Sequence, residues 1–112
     1  PEKFEYPINR FAMEVNRQLD VLDKNLENRK FICGDEYKIA DMAIHPWYGY
    51  LVLKNAYNAA EFLDVQSYKN VVRWVEEISE RPAFKRGARV GRPPSGPEDN
   101  AIPERHDASD LD

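Results

Sequence analysis

Between Gly34 and Trp47 a glycine turn runs straight into a helix with apolar residues on nearly every side. With the N-cap placed at Lys38, Asp41 falls at the third helical position. There its carboxylate reaches back to the open amide of the N-cap. Tyr37 then precedes the cap and Met42 follows Asp41, the two positions that pair as a hydrophobic staple across a helix start. An acid in the first turn also opposes the positive end of the helix dipole, worth about 0.3–1 kcal/mol. Beyond the cap, Ile44, Trp47, Leu51, Val52 and Leu53 keep the helix apolar around its circumference, and such a helix is a central, buried one. The stretch therefore predicts the core element of a helical domain, with Asp41, Tyr37 and Met42 as its structural cap, and it carries no chemistry of its own.

The remaining chain supplies partners for that helix. Ile8, Phe11, Ala12, Val15, Leu19, Leu22 and Leu26 recur at spacings of three and four, which predicts an amphipathic helix from Ile8 to about Asn28. Phe31-Ile32-Cys33-Gly34 is a short apolar link into the central helix, which spans Ile39 to about Lys54 and is kinked near Pro46. Asn55 to Leu63 reads as a short helix with loops. Ser67 is positioned to cap a further helix with the face Tyr68, Val71, Val72, Val75 and Ile78. Arg81-Pro82-Ala83 then places proline in the first turn of a last helix, Pro82 to Arg89. Strict alternation is absent, so no strands are expected. The prediction is an all-α bundle of about five helices, in a domain covering 1–90. From Gly91 to Asp112 the chain turns rich in Pro, Gly, Asp and Ser, and this predicts an extended or disordered tail at 91–112.

Composition narrows the partners. The 112 residues carry a net charge of −4, which argues against nucleic acid or an anionic membrane surface. No apolar run approaches the roughly 18 residues of a membrane span. A single cysteine, Cys33, excludes an internal disulfide and fits a reducing compartment such as the cytoplasm. A start at Pro1 reads as a piece of a longer chain.

The sequence holds no catalytic constellation. His45 lies in the apolar helix and His106 in the polar tail, and neither has acids or cysteines at metal-ligand spacing, so no metal is expected. Cys33 follows two apolar residues without an adjacent base and is expected to be buried and inert. Lys85, Arg86, Arg89 and Arg92 complement the negative end of the last helix. Arg10 runs against its setting, because a cation in the first turns of a helix is disfavoured by the dipole. Two readings stand for it: a surface pair with Glu5 or Glu14, or a guanidinium that clamps a carboxylate bidentately. The aromatic residues Tyr6, Phe11, Trp47, Tyr48, Tyr50 and Tyr57 read either as core or interface, or as lining of an apolar cleft.

The order Gly34-Asp35, Ile39-Ala40-Asp41, an apolar central helix and then Arg81-Pro82-Ala83 resembles the C-terminal domain of glutathione transferases, over roughly residues 4–90. More narrowly, Ile8-Asn9-Arg10-Phe11 and Met42-Ala43-Ile44-His45-Pro46-Trp47-Tyr48 are similar to the bacterial Nu class, glutathione-dependent disulfide-bond reductases. One departure is Lys38, where the family has Ser or Thr. Lysine cannot accept a backbone amide, so half of the capping box is lost, at a cost of about 1 kcal/mol.

The resemblance implies a helical domain that walls the electrophile side of a glutathione cleft and supports a cytoplasmic homodimer. The glutathione-activating residue would lie in a separate N-terminal thioredoxin-like domain, so this segment alone is expected to be inactive. The implied partners are glutathione, used as a substrate, and small disulfides or electrophiles. The resemblance also favours Arg10 as a glutathione contact, with Trp47 and Tyr48 as cleft lining. Two further functions fit the same fold: a non-enzymatic interaction module, as in elongation-factor and synthetase subunits, and a catalytically silent regulator.

Overall fold

The computed structural model describes residues 2–54, 56–90, 101–102, 107 and 109. Within them the chain forms four α-helices: α1 Glu5–Leu26, α2 Ile39–Lys54, α3 Lys69–Ser79 and α4 Pro82–Gly87. Short 3₁₀ turns at Ala56–Asn58 and Val65–Ser67 lie between α2 and α3. The architecture is all-α, as the periodicity predicts. Of the short helix with loops expected over 55–63, the described residues 56–63 form the first of these 3₁₀ turns followed by irregular chain. Tyr57 (φ 58°) and Asn58 (φ 54°) both adopt left-handed backbone there, which an α-helix of L-residues does not continue through.

The chain divides into two compact units, residues 1–76 and 77–112. In the first, α1 is amphipathic along its length but buried only over its second half, at Leu19, Leu22 and Leu26. Phe31, Leu51, Leu63, Val65, Val71, Trp74 and Val75 complete that core. Ile8 and Phe11, on the same face of α1 nearer its start, stay exposed. At roughly 1.5–3 kcal/mol per fully buried large apolar side chain, the C-terminal half of α1 is the half that packing holds.

The ends of α1 and α3 cap each other. Asp23, near the end of α1, accepts the backbone amides of Asn70 (2.8 Å) and Val71 (3.1 Å) through Oδ1, and the Asn70 side-chain amide through Oδ2. Those amides belong to the first turn of α3, which have no acceptor within their own helix. Tyr68, the residue preceding α3, has no acceptor suited to them, so an acid 47 positions upstream does the work of an N-cap. Ser67, the cap expected from sequence, sits instead in the preceding 3₁₀ turn and donates to the Asp64 carbonyl. In return Arg73 of α3 donates to the carbonyls of Leu26, Arg29 and Lys30 at the end of α1. A cation there also opposes the negative end of the α1 dipole.

α2 corrects one expectation. Apolar on nearly every side, it was expected to be buried all round, yet it buries one line of residues, Asp41, His45 and Gly49, together with Leu51. Ile39, Met42, Trp47, Tyr50 and Leu53 remain exposed. The physical reason lies in packing partners. Residues four apart share a helix face, and the face of 41, 45 and 49 is the one that meets Trp74 and Val75 of α3. No described element covers the opposite apolar face. The helix runs through Pro46 without interruption.

In the second unit, α4 begins with Pro82 at its first position, a place where the missing amide costs nothing. Lys85 pairs with Glu80. Ile102 is buried at 3% exposure and forms a parallel bridge with Val90, its amide donating to the Arg89 carbonyl at 2.7 Å. Residues 91–100, 103–106, 108 and 110–112, and with them most of the expected tail, lie outside the described residues.

Candidate functional site

Phe31 and Gly34 exchange backbone hydrogen bonds (2.7 and 3.1 Å), closing a tight turn with Ile32 and Cys33 at its corner. Gly34 has φ +124°, a conformation that suits only glycine. The Asp41 carboxylate, fully buried, anchors this turn to two helices. Its Oδ2 accepts the Lys38 amide at 3.0 Å, while Oδ1 accepts the Ile32 amide at 3.0 Å and the indole N–H of Trp74 at 2.8 Å. Three donors converge on one carboxylate, and this satisfies a buried charge that would otherwise be costly. The amide of Asp41 itself, which Lys38 cannot serve through its side chain, bonds the Lys38 carbonyl at 3.0 Å and so tightens the first turn. Tyr37 packs edge-on against Phe31 with ring centres 5.7 Å apart, and Met42 is half exposed.

One turn further along α2, His45 is 3% exposed. Its Nε2 lies 3.3 Å from the Val75 carbonyl, and its ring leans on Trp74 with centres 5.5 Å apart. Gly49 makes room for it, since a Cβ there would stand 2.6 Å from the His45 ring. Burial lowers the His45 pKa below its ordinary value. His45 is thus a packed core histidine. His106 lies outside the described residues.

Cys33 differs from expectation. Its apolar neighbours predict burial, and it is exposed. Cys33 sits at the corner of the turn beside the half-buried Ile32, while Phe31 is buried at its base. Sequence hydrophobicity around Cys33 does not reveal this, because the turn rather than the composition sets its direction.

The first unit holds an open groove of about 580 Å³ between α1 and α2. Ile8, Phe11, Ile44, Trp47, Tyr48 and Leu51 form much of its wall. Trp47 is 80% and Phe11 71% exposed, and Tyr57 at the margin is fully exposed. Gln18 and Tyr48 of this wall belong to a chain of polar side chains. The Tyr48 hydroxyl donates to Gln18 Oε1 at 2.8 Å, and Gln18 Nε2 donates to Glu14 at 2.9 Å. Arg17 holds the same carboxylate at 2.6 Å. These bonds from Arg17 and Gln18 pull the Glu14 pKa down to about 2, while burial pushes the Tyr48 hydroxyl up. Gln18, which links the ion pair to Tyr48, is a residue that sequence reading missed, because its partners sit on two different helices.

Arg10 is exposed on α1, and among the described residues no hydrogen bond or ion pair joins it to another side chain. The surface pair with Glu14 expected from spacing does not form, since Arg17 and Gln18 occupy that carboxylate, and Arg10 acts on it only as a nearby charge. Arg10 and the groove do not converge. Arg10 is about 200° around the helix from Ile8 and about 100° from Phe11, and it is not among the residues that line the groove. Among the described residues no group of three or more His, Cys, Asp or Glu is placed to hold a metal ion, and no helix is long and apolar enough to cross a membrane.

These features define an all-helical domain built on a capped helix whose aspartate is shared among three segments. The chain belongs to the glutathione S-transferase C-terminal domain family, whose model matches residues 11–82. Over all 112 residues it is 60% identical to the disulfide-bond oxidoreductase YghU of Escherichia coli, covering 38% of that protein. It is 37% identical over 83 residues to the E. coli disulfide-bond oxidoreductase YfcG, covering 35% of it. Among solved structures it resembles glutathione transferase YghU of Streptococcus pneumoniae, crystallised with glutathione. The match has 60% identity and a TM-score of 0.74, over 78% of this chain and 34% of that one. The chain thus spans little more than a third of the length of these relatives.

Proposed function

We propose that this chain is the helical domain of a glutathione-dependent disulfide-bond oxidoreductase of the glutathione transferase family, acting together with a thioredoxin-like domain in a cytoplasmic homodimer. The observation that carries the reading is the 60% identity to a disulfide-bond oxidoreductase along the whole chain. The reaction is thiol–disulfide exchange. A glutathione thiolate attacks one sulfur of the substrate disulfide, forming a mixed disulfide and releasing the other sulfur as a thiolate. A second glutathione attacks the glutathione sulfur of the mixed disulfide and releases the remaining thiol, so two glutathiones supply two electrons and leave as their own disulfide. No protein nucleophile enters this scheme, and Cys33 has no role in it.

In this reading Arg10 clamps a glutathione carboxylate with its planar guanidinium. Its exposure and the lack of a protein partner among the described residues support that role, since a committed ion pair would have to be broken first. Trp47 and Tyr48 are proposed as apolar lining on the electrophile side, and their place on the groove wall supports this. Glutathione-dependent reduction of a model disulfide by the whole protein tests the function. Turnover that needs glutathione and survives Cys33→Ser is expected. Absence of glutathione-dependent turnover would favour the second reading, a binding module without catalysis.

A further inference from the structure

We draw no further inference here: the strongest candidate, the open apolar groove between α1 and α2 walled by Phe11, Ile44 and Trp47, carries nothing because nothing in the structure shows what covers it.

Discussion

The indole N–H of Trp74 donates to Asp41 Oδ1 at 2.8 Å, with both side chains fully out of solvent. That one bond ties α3 to the first turn of α2. The other Asp41 bonds tie the same point to the turn before it. Asp41→Ala orphans three donors at once. Each fully buried unsatisfied group costs about 1–3 kcal/mol, and because the Ile32 and Lys38 amides are only part-buried the expected loss is about 3–5 kcal/mol, beyond that of an ordinary cap. Urea unfolding of the protein carrying this domain measures it. Trp74→Phe removes one donor and leaves Asp41 two partners, so a smaller loss of about 1–2 kcal/mol is expected. The two losses should be non-additive in a double-mutant cycle.

The return bond from Asp41 to Lys38 was legible in the sequence, because a capping box has a fixed three-residue spacing. The bonds to Ile32 and Trp74 were not, since they span 9 and 33 positions and depend on how the turn and α3 dock. The same limit hid the mutual capping of α1 and α3. The bounds of α2 could be read from its start signal and run of apolar residues, but its exposed side could not. A helix apolar all round has no period to say which face meets a neighbour.

Gly49→Ala should destabilise the domain. Alanine favours a helix over glycine by about 0.5–1 kcal/mol. Its Cβ would nonetheless stand 2.6 Å from the ring of a buried His45, and such overpacking costs about 1–3 kcal/mol. A net fall in melting temperature is expected. In a His45→Ala background, where the ring is gone, the same substitution should be neutral or stabilising. A fall of equal size in both backgrounds would contradict the packing account.

His45 also makes stability depend on pH. Burial holds its folded pKa below the ordinary value of 6.5. Between those two values the unfolded chain binds the proton and the folded chain does not. The His45 contribution is therefore fully present above about pH 6.5 and is lost as pH falls through that value toward the folded pKa, by up to about 1.4 kcal/mol per pH unit. Melting curves from pH 7.5 down to 5.5 check this. His45→Gln should flatten the profile over that range, and an unchanged slope would remove His45 as its source.

The mutual caps of α1 and α3 make a paired prediction. Asp23→Ala leaves the amides of Asn70 and Val71 without their acceptor and should cost about 0.5–2 kcal/mol. Arg73→Lys keeps the charge but loses the fork that reaches three carbonyls, so it should also destabilise. Hydrogen exchange should quicken at the first turn of α3 in the Asp23 variant. Unchanged protection there would show that the bonds contribute nothing.

In the proposed function this helical chain contributes Arg10 as a contact to a glutathione carboxylate. Calorimetric titration of glutathione into the whole protein, comparing the parent with Arg10→Ala and Trp47→Ala, tests it most directly. Loss of a charge-assisted bidentate contact should weaken binding by about 1.5–3 kcal/mol, roughly tenfold or more, in Arg10→Ala. Trp47→Ala should bind glutathione as the parent does. Parent-like affinity in Arg10→Ala would contradict the claim.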